Sequence, residues 1–289
     1  MQFKTRYSIG DVSRICNISK KALRYYDKIN LIPSKREELN NYRYYTQESV
    51  LAVPVIKYYK QMGFKLDEMQ KFIEGNICDA YKAIQRSFRS KIEELERERE
   101  DIRRKHESIK DWYSLITEAE MVIENNSREV SVKYVEASDF LYQEQLSYND
   151  MEALIINIEF TNYVESLDNE ITGPVILNFS SFNDRMENKK QRIRILQKTL
   201  IPCHKDKEMK FGGQMMAACY HIGPHETINE TYQKICRWAK NHNYFLGEES
   251  FERYVTDYWT TRNSSQFVTE VMIGVSRQAA VASQPCEIG

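Results

Sequence analysis

The chain has 289 residues, of which 42% are hydrophobic and 29% are charged. That length accommodates two or three domains, and that composition excludes general disorder. The mean hydropathy is −0.62, and no stretch approaches the roughly 18 consecutive apolar residues that a membrane helix needs, so an integral membrane protein is excluded.

The N-terminus and the cysteines indicate the compartment. Residues 1–6 lack the apolar core of a secretory signal, so we expect a cytoplasmic protein. The six cysteines contain no C-x-x-C pair, and they fit buried thiols in a reducing compartment better than a disulfide framework. Residues 278–289 are mostly small and polar, which is typical of a disordered tail.

Charge is unevenly distributed along the chain, although the formal net charge is only −1. Residues 1–75 carry 14 Lys and Arg against 8 Asp and Glu, whereas residues 129–289 carry 16 against 22. A basic head on an acidic body suggests that only the head meets a polyanion. A chance excess of this size is the alternative, so charge alone decides nothing.

The head, residues 1–75, begins with a pattern of two short helices joined by a tight turn. Ser8 precedes apolar residues at helical spacing, and Asp11, three residues later, forms a capping-box variant. Residues 17–19 then form a turn that ends in a second N-cap, and residues 20–27 form the next helix. Because the second helix is basic, the pair is typical of a helix-turn-helix.

The rest of the head predicts a wing and two more helices. Residues 34–45 are polar, and Asn41 near their centre tolerates the left-handed conformation of a hairpin tip, which predicts a two-stranded wing. Thr46 caps a helix that runs to about Met62, and a shorter helix follows Leu66.

These elements bring out a resemblance to the MerR family of transcription regulators over residues 7–75. The fold that the resemblance implies is a winged helix-turn-helix. Two positions depart from the family pattern: Ala22 stands where members often carry Thr, and Asn41 where they often carry Gly. The segments that match in order and spacing are Ile9-Gly10-Asp11-Val12, Leu23-Arg24-Tyr25-Tyr26-Asp27, Leu31-Ile32-Pro33, Tyr42-Arg43-Tyr44-Tyr45 and Met62-Gly63-Phe64.

The resemblance also implies which side chains meet double-stranded DNA. Phosphate contacts position a protein on the duplex, and a few residues early in the second helix read bases. The alternative is a solvated basic helix in an unrelated domain. Predicted contacts to the major groove and its phosphates come from Lys20, Lys21, Arg24 and Tyr25. Predicted contacts to the backbone come from Tyr42 and Arg43 of the wing and from Lys60 of the following helix.

Residues 76–128 predict a long helix and linker. Apolar residues recur every seven positions, which is typical of a coiled-coil seam and indicates a homodimer. In the resembling family this helix pairs antiparallel with its partner; the alternative is a helix that folds back on its own C-terminal domain. About 40 helical residues reach roughly 60 Å. The seam consists of Tyr81, Phe88, Leu95, Ile102, Ile109 and Ile116.

Metal and cofactor sites are not expected. Cys78 precedes the long helix, where metal-sensing members of the family carry a ligand, but residues 117–129 contain no second Cys or His. Cys219, His221 and His225 fit no standard metal spacing. The sequence has no phosphate-cradling glycine-rich loop or dinucleotide fingerprint either.

The body, residues 129–277, predicts two similar halves of α+β structure with a cleft between them. Each half reads as strand-helix-strand-strand, so the arrangement is duplicated. The predicted helices cover 150–167 and 226–241. The predicted strands cover 130–135, 140–146, 174–179, 192–200, 214–221, 251–259 and 267–275.

The second half of the body resembles the GyrI-like effector-binding domain, which follows the winged head in multidrug-responsive members of the MerR family. The matching segments are Cys219-Tyr220-His221-Ile222-Gly223-Pro224-His225, the helix at 232–238, and Phe267-Val268-Thr269-Glu270-Val271-Met272-Ile273. The implied role of this domain is to bind a small-molecule effector.

Glu270 is the candidate ligand-reading residue. It is the only charged residue between Arg262 and Arg277, and strand alternation places it opposite the face of Val271 and Ile273. A buried carboxylate needs a compensating cation or donors, so a cleft with one carboxylate and aromatic walls selects bulky lipophilic cations. The alternative is a solvent-facing position. The nearby aromatic candidates are Tyr142, Tyr148, Tyr163, Phe179, Tyr220, Tyr254 and Trp259.

Together these features predict a multidomain, dimeric, ligand-responsive transcription regulator. Its parts are an all-α-rich winged helix-turn-helix head, a coiled-coil dimerisation helix, a duplicated α+β GyrI-like body and a tail. The resemblance implies promoter activation, in which ligand binding remodels an over-long spacer for RNA polymerase. Two alternatives stay open. One is an enzyme, a hydrolase acting on the bound compound, and the other is a constitutive DNA-binding protein whose body binds another protein.

Overall fold

The structure is a computed structural model that describes residues 5–37, 42–73, 80–147 and 150–277, with the side chains of 71–73 and 80 left out. It divides into two compact units, Met1–Asp101 and Ile102–Gly289. Among the described residues, no helix combines the length and the apolar character needed to cross a bilayer. Asn41, Cys78, Tyr148 and the predicted tail lie outside the described residues.

The first unit contains the predicted helix-turn-helix. Ser8 and Asp11 form a reciprocal capping box, and the Ser19 side chain accepts a hydrogen bond from the backbone N–H of Ala22. Both caps satisfy backbone donors at a helix start, which is why the sequence locates these starts well. The helices that lie wholly within this unit are α1 (Ile9–Ile15), α2 (Lys20–Lys28), α3 (Gln47–Gln61) and α4 (Leu66–Ile73).

The wing is part of a three-stranded antiparallel sheet rather than a lone two-stranded hairpin. Strand β1 (Tyr7–Ser8) pairs with β3 (Arg43–Tyr45), which also pairs with β2 (Lys35–Arg36). The sequence missed β1 because two residues are too few to display the alternation of a strand. The sheet and the helices enclose a core whose fully buried members include Val12, Leu23, Ile32, Tyr45 and Val53.

The predicted long helix is a single helix, α5 (Ala80–Glu124), of 45 residues. Its N-terminal part contributes Phe88 to the core of the head. Its C-terminal part packs on the body, where Leu115, Ala119 and Val122 are buried at helical spacing. The remaining positions of the predicted seam are exposed in the single chain: Tyr81, Leu95, Ile102, Ile109 and Ile116.

The described residues of the body form one antiparallel sheet of eight strands, in the order β4-β9-β11-β10-β6-β7-β5-β8. Pairing of β10 with β6 joins the two predicted halves, so the halves share a single sheet. The predicted duplication is present as β5, helix, β6, β7 and then β9, helix, β10, β11. The strands are β4 (Ser131–Val135), β5 (Ser138–Ser147), β6 (Ile171–Phe179), β7 (Gln191–Thr199), β8 (Glu208–Phe211), β9 (Gln214–Ile222), β10 (Tyr244–Thr256) and β11 (Val268–Arg277).

The helices of the body require one correction. The prediction of one helix over 150–167 is wrong, because the chain forms α6 (Met151–Ile155) and α7 (Ile158–Ser166). Asn157 separates them: its side chain accepts a hydrogen bond from the N–H of Phe160 and caps α7. The sequence also missed β8 and the short helix α8 (Phe182–Met186). Helix α9 (Asn229–Asn241) follows a short 3₁₀ turn, His225–Thr227.

Helices α9 and α5 cover opposite faces of the sheet in the second half. Ala217, Cys219, Val271 and Ile273 pack against α9. Val255 and Val268 pack against the C-terminal part of α5. A side chain in this half therefore meets one of two different environments, depending on its position in the strand alternation.

Candidate functional site

The four side chains predicted to reach the major groove are all exposed on α2. Lys20, Lys21, Arg24 and Tyr25 lie on one side of the helix, whereas Leu23 and Tyr26 on the other side are buried in the core of the head. This separation leaves the basic side of α2 available for a polyanion. No DNA is present, so their contacts to DNA stay predictions.

The three predicted backbone contacts are also exposed, and one of them is fixed in place. Tyr42 and Lys60 project from the surface, while Arg43 Nε lies 3.0 Å from Asp27 Oδ2. Asp27 also accepts hydrogen bonds from the backbone N–H and hydroxyl of Ser34. Burial pushes the pKa of Asp27 up, but these hydrogen bonds and Arg43 outweigh it and hold the pKa below its usual value. Asp27, which sequence reasoning did not assign, thus links α2 to the wing.

The carboxylate of Glu270 is buried at 2% exposure, which excludes the solvent-facing alternative. Glu270 pairs across the sheet with Arg253, so both side chains lie on the face that α5 covers. Its Oε1 lies 2.5 Å from Lys133 Nζ, and its Oε2 accepts a hydrogen bond from Arg253 Nε at 2.9 Å. Glu270 therefore already has two cations within the chain.

A network connects Glu270 to helix α5. Arg253 also binds Glu118 of α5, and the hydroxyl of Tyr220 donates to Glu118 Oε1 at 2.7 Å. Burial raises the pKa of Glu118, but hydrogen bonding and the charge of Arg253 outweigh burial and leave that pKa below its usual value. Two acids and two bases balance here, so the network fastens α5 to the sheet without excess charge.

A cavity of about 360 Å³ adjoins this network, and two of the predicted ligand-binding residues, Glu270 and Tyr220, line it. Its other walls are Asn125, Asn126, Ser127, Glu129, Ser131 and Ala218. Most of these residues are polar, and none of them contributes a further aromatic ring. A ligand contact by Glu270 stays a prediction, but the aromatic chamber expected around it is not at this position.

A second buried glutamate, Glu252, lies on the opposite face of the sheet and is 0% exposed. It pairs with Val271, so it faces α9. Arg185 Nε donates to its Oε1 at 2.8 Å, and the hydroxyl of Tyr232 donates to the same oxygen at 2.9 Å. The hydroxyl of Tyr254 donates to Oε2. Sequence reasoning missed this residue.

The Glu252 cluster is a fully hydrogen-bonded polar group inside the apolar part of the body. Burial, and then the charge of Glu252, raises the pKa of Tyr232 and of Tyr254 well above the usual value. Both phenols therefore stay protonated and act as donors to the carboxylate. Arg185 is held charged, since Glu252 outweighs the burial that lowers its pKa.

A cleft of about 500 Å³ lies beside this cluster, and Arg185 forms part of its wall. Three carboxylates line it against that one cation: Asp150, Glu152 and Glu226. The remaining lining residues are Met151, Asn188, His225, Ile228, Asn229 and Tyr258.

The cleft contains polar atoms that lack partners. His225 is 3% exposed, and neither of its ring nitrogens has a hydrogen-bonding partner within the described part of the chain. Burial lowers the pKa of His225 to about 4, so the ring is neutral at neutral pH. The Asn229 Oδ1 atom is likewise without a partner among the described residues. A ligand that donates to Asn229 Oδ1, and that both donates to and accepts from the neutral ring of His225, would satisfy these atoms.

The predicted aromatic residues are not gathered in one chamber. Phe179 and Tyr254 are fully buried near Glu252, where the Arg185 guanidinium lies 5.0 Å from the Phe179 ring centre. Tyr220 belongs to the Glu270 network. Trp259 contacts Trp112 of α5, with ring centres 4.3 Å apart. The half-buried Tyr163 packs against the core cluster that contains Phe179 and Tyr254, and the half-buried Tyr142 packs against a different cluster. The predicted Tyr148 lies outside the described residues.

The one cysteine and two histidines that were weighed as metal ligands each have other surroundings. Cys219 Sγ donates to the backbone carbonyl of Arg128 at 3.1 Å, and His221 hydrogen-bonds to Thr231 on α9. Within the described ranges, no cluster of three or more potential metal ligands occurs.

Two family models match the chain. Residues 128–276 match the GyrI-like small molecule binding domain. Residues 7–76 match the MerR HTH family regulatory proteins. These spans agree with the body and the head.

Three curated relatives match to different extents. The multidrug-efflux transporter 1 regulator of Bacillus subtilis (strain 168) is 48% identical over 66 residues, which cover 22% of this chain and only 24% of that relative. The mercuric resistance operon regulatory protein of Bacillus cereus is 31% identical over 103 residues, 34% of this chain and 76% of the relative. The multidrug-efflux transporter 2 regulator of Bacillus subtilis (strain 168) is 20% identical over 268 residues, 88% of this chain and 90% of the relative.

Proposed function

We propose that this chain binds promoter DNA through α2 and the wing, and bulky lipophilic cations through the body. The chain belongs to the MerR family of regulatory proteins, and its body belongs to the GyrI-like small molecule binding domains. It acts as a dimeric, ligand-responsive transcription regulator of the multidrug-transporter type. Binding to chromosomal DNA assigns it to the cytoplasm.

The observation that carries the ligand assignment is the charge of the cleft beside the Glu252 cluster. Arg185 is the one cation among its lining residues, and its charge is neutralised by Glu252, which does not line the cleft. The three carboxylates of the rim are left without an equal number of cations, so the cleft attracts positive charge. The ring of Tyr258 adds an aromatic face, and Asn229 Oδ1 offers an acceptor.

Glu270 has a different role in this proposal from the one the sequence predicted. Two cations inside the chain already compensate its charge, so a cationic ligand gains little from it. Its network instead fixes helix α5 to the sheet through Glu118. We assign the ligand to the cleft on the α9 face and assign Glu270 to the mechanical connection with α5.

Calorimetry with the tetraphenylphosphonium cation tests the ligand site. Glu152→Gln and Glu226→Gln each remove one rim charge, and we expect each to weaken the cation about three- to tenfold while triphenylphosphine oxide, a neutral analogue, is unaffected. Glu159→Gln on the exposed side of α7 is the matched control. An equal loss for the neutral compound sinks the charge argument, and a loss only in Glu270→Gln moves the site to the α5 face.

The dimer is proposed on the exposed seam of α5. Five apolar side chains at seven-residue spacing are exposed in the single chain, and a second copy of the helix is the partner that a heptad pattern selects. Ile102→Lys with Ile109→Lys is expected to convert the dimer to a monomer in light scattering. Glu93→Gln with Glu100→Gln is the surface control, because these exposed residues lie five positions after Phe88 and Leu95, on the far side of the helix from the seam. A wild-type monomer at micromolar concentration contradicts this proposal.

DNA binding by α2 is tested through its salt dependence. Arg24→Ala is expected to weaken binding to operator DNA and to non-specific DNA alike. It is also expected to reduce the slope of the log binding constant against log salt concentration by about one. Lys240→Ala, exposed on α9 in the body, is the matched control. A variant that alters sequence preference with an unchanged slope argues against a phosphate contact.

The ligand is proposed to favour one arrangement of the two heads, because only a difference in affinity between two states shifts their equilibrium. Remodelling of promoter DNA for RNA polymerase follows as the route to activation, and a footprint in which ligand leaves DNA twist unchanged counts against it.

Catalysis is the second candidate. Glu252 is protected from water and engaged by three donors, which disfavours it as a general base. Turnover of a bound compound that is abolished in Glu226→Gln overturns the non-enzyme assignment.

A further inference from the structure

A separate cavity of about 260 Å³ lies under the connection between α6 and α7. Its walls are mainly apolar, and the residues that form them include Ile155, Ile195, Trp112, Trp259 and Asp257. It shares no lining residue with the cleft beside Glu252. The cavity is about half the volume of that cleft, so it suits a smaller molecule.

Asp257 is the acid of this cavity and is 1% exposed. Its Oδ1 accepts a hydrogen bond from the backbone N–H of Trp259 at 3.0 Å. Its Oδ2 has no hydrogen-bonding partner among the residues that the structure describes, and no ion pair to Asp257 occurs there either. A buried carboxylate oxygen without a donor is costly, and natural proteins satisfy nearly all such atoms. The atom is therefore suited to a donor brought by a ligand.

The state of this acid favours a cationic donor. Burial raises the pKa of Asp257 to about 6, and the hydrogen bond from Trp259 opposes that rise. The carboxylate is thus ionised at neutral pH in a largely apolar surrounding. A positively charged donor compensates it better than a neutral one, since charge-assisted hydrogen bonds are the stronger class.

The two tryptophans supply the binding surface for an apolar ligand. The indole rings of Trp112 and Trp259 meet edge to face at 64°. Ile155 and Ile195 complete the apolar walls. An engineered cavity of about 150 Å³ with such walls holds benzene, so about 260 Å³ admits one ring with a short side chain.

One wall of the cavity belongs to helix α5. Trp112 follows Asp111, whose carboxylate accepts hydrogen bonds from Lys198 Nζ at 3.0 Å and from Thr172 Oγ1 at 3.1 Å. These contacts hold this part of α5 against the ends of β6 and β7. A ligand in the cavity therefore touches both the helix and the sheet and stabilises their contact.

We propose that this cavity is a second ligand site, which binds a compact arylalkylamine with its ammonium group on Asp257 and its ring against Trp112 and Trp259. Binding there is independent of the cleft. Its effect on promoter activity, through stabilised docking of α5, rests on the proposed function.

The test uses the full chain, 2-phenylethylamine and its neutral analogue 2-phenylethanol in titration calorimetry. We expect the amine to bind the wild-type chain, and Asp257→Asn to weaken it about tenfold or more because a charged hydrogen bond is lost. The alcohol is expected to change less than about twofold. Glu165→Gln, exposed near the end of α7, is the matched control and leaves the amine affinity unchanged.

A second variant guards against misfolding of Asp257→Asn. Trp259 is 41% exposed, so Trp259→Ala removes one wall with little effect on the core and is expected to weaken amine and alcohol alike. Absence of amine binding to the wild-type chain overturns the proposal, as does equal affinity in the wild type and Asp257→Asn. Loss of the amine in Glu226→Gln but not in Asp257→Asn assigns it to the cleft, which overturns the second site and leaves the cleft intact.

Discussion

Two buried glutamates on opposite faces of one sheet show how differently the same charge is used. Glu252 faces α9 and is satisfied by one arginine and two tyrosine hydroxyls. Glu270 faces α5 and is satisfied by two cations, one of which also binds Glu118. Glu252 of the first cluster is 0% exposed, whereas Lys133 of the second has a side chain that is 42% exposed. The first shapes a cleft, and the second fastens a helix.

Removal of one cation from each cluster should give the largest difference between the two clusters in the free energy of unfolding that is lost. Arg185→Met leaves Glu252 buried without a counter-ion, and we expect the free energy of unfolding to fall by about 3 to 5 kcal/mol. Lys133→Met leaves Arg253 on Glu270 and is expected to cost about 1 kcal/mol or less. Urea denaturation followed by tryptophan fluorescence measures both, because Trp112, Trp238 and Trp259 all lie in the second unit. Equal losses contradict the distinction.

Asp257 extends the comparison to a buried acid with no cation among the described residues. Its pKa is raised from 3.8 to about 6, so the folded state binds a proton more tightly than the unfolded state and stability falls as pH rises from about 4 to about 6. Asp257→Asn has no carboxyl group at this position, so its stability should not fall with pH for this reason. The difference in unfolding free energy, variant minus wild type, should increase by up to about 3 kcal/mol between pH 4 and pH 7. A difference that is constant with pH refutes this reading of Asp257.

Removal of one tyrosine hydroxyl from each cluster should give a smaller difference between the two clusters in the cost to stability. Tyr254→Phe removes a fully buried donor to Glu252, with an expected cost of about 2 kcal/mol. Tyr220→Phe removes a donor to Glu118, which keeps Arg253, and is expected to cost about 1 kcal/mol. Thermal unfolding of the two variants in parallel measures this order, and the reverse order requires a different account of the clusters.

Salt gives the smallest expected effect and the finest distinction. The coupling energy of Lys133 with Glu270, from a double-mutant cycle, should fall by about 0.5 kcal/mol or less between 0.05 and 0.5 M NaCl, because the pair is reached by solvent. The coupling of Arg185 with Glu252 should stay constant. A larger salt effect at Glu252 shows that water enters the cleft side.

Local signals in the sequence predicted the local structure. The capping residues Ser8 and Ser19 located two helices of the head, and alternation placed Glu270 on the correct side of β11, away from Val271. The break at Asn157 was missed because the apolar spacing continues through it, and only the hydrogen bond to Phe160 reveals the new cap.

The partners of the buried acids were beyond sequence reasoning. Arg185 is 67 positions from Glu252 and Lys133 is 137 positions from Glu270, so nothing local indicates either pair. The sequence also gave no means to decide which face of the sheet α5 covers. A signal for Glu252 was present, since Glu252 and Tyr254 alternate onto one face of a predicted strand, but the isolation of Glu270 among apolar residues was the stronger pattern.

Three contacts that anchor α5 to the body lie close together along the helix. Asp111, Trp112 and Glu118 all bind the body within a span of about 10 Å along the axis. A slide of one helical turn, about 5.4 Å, separates all three at once. The three contacts are therefore lost together, and we expect α5 to leave its place on the body in one step instead of shifting gradually.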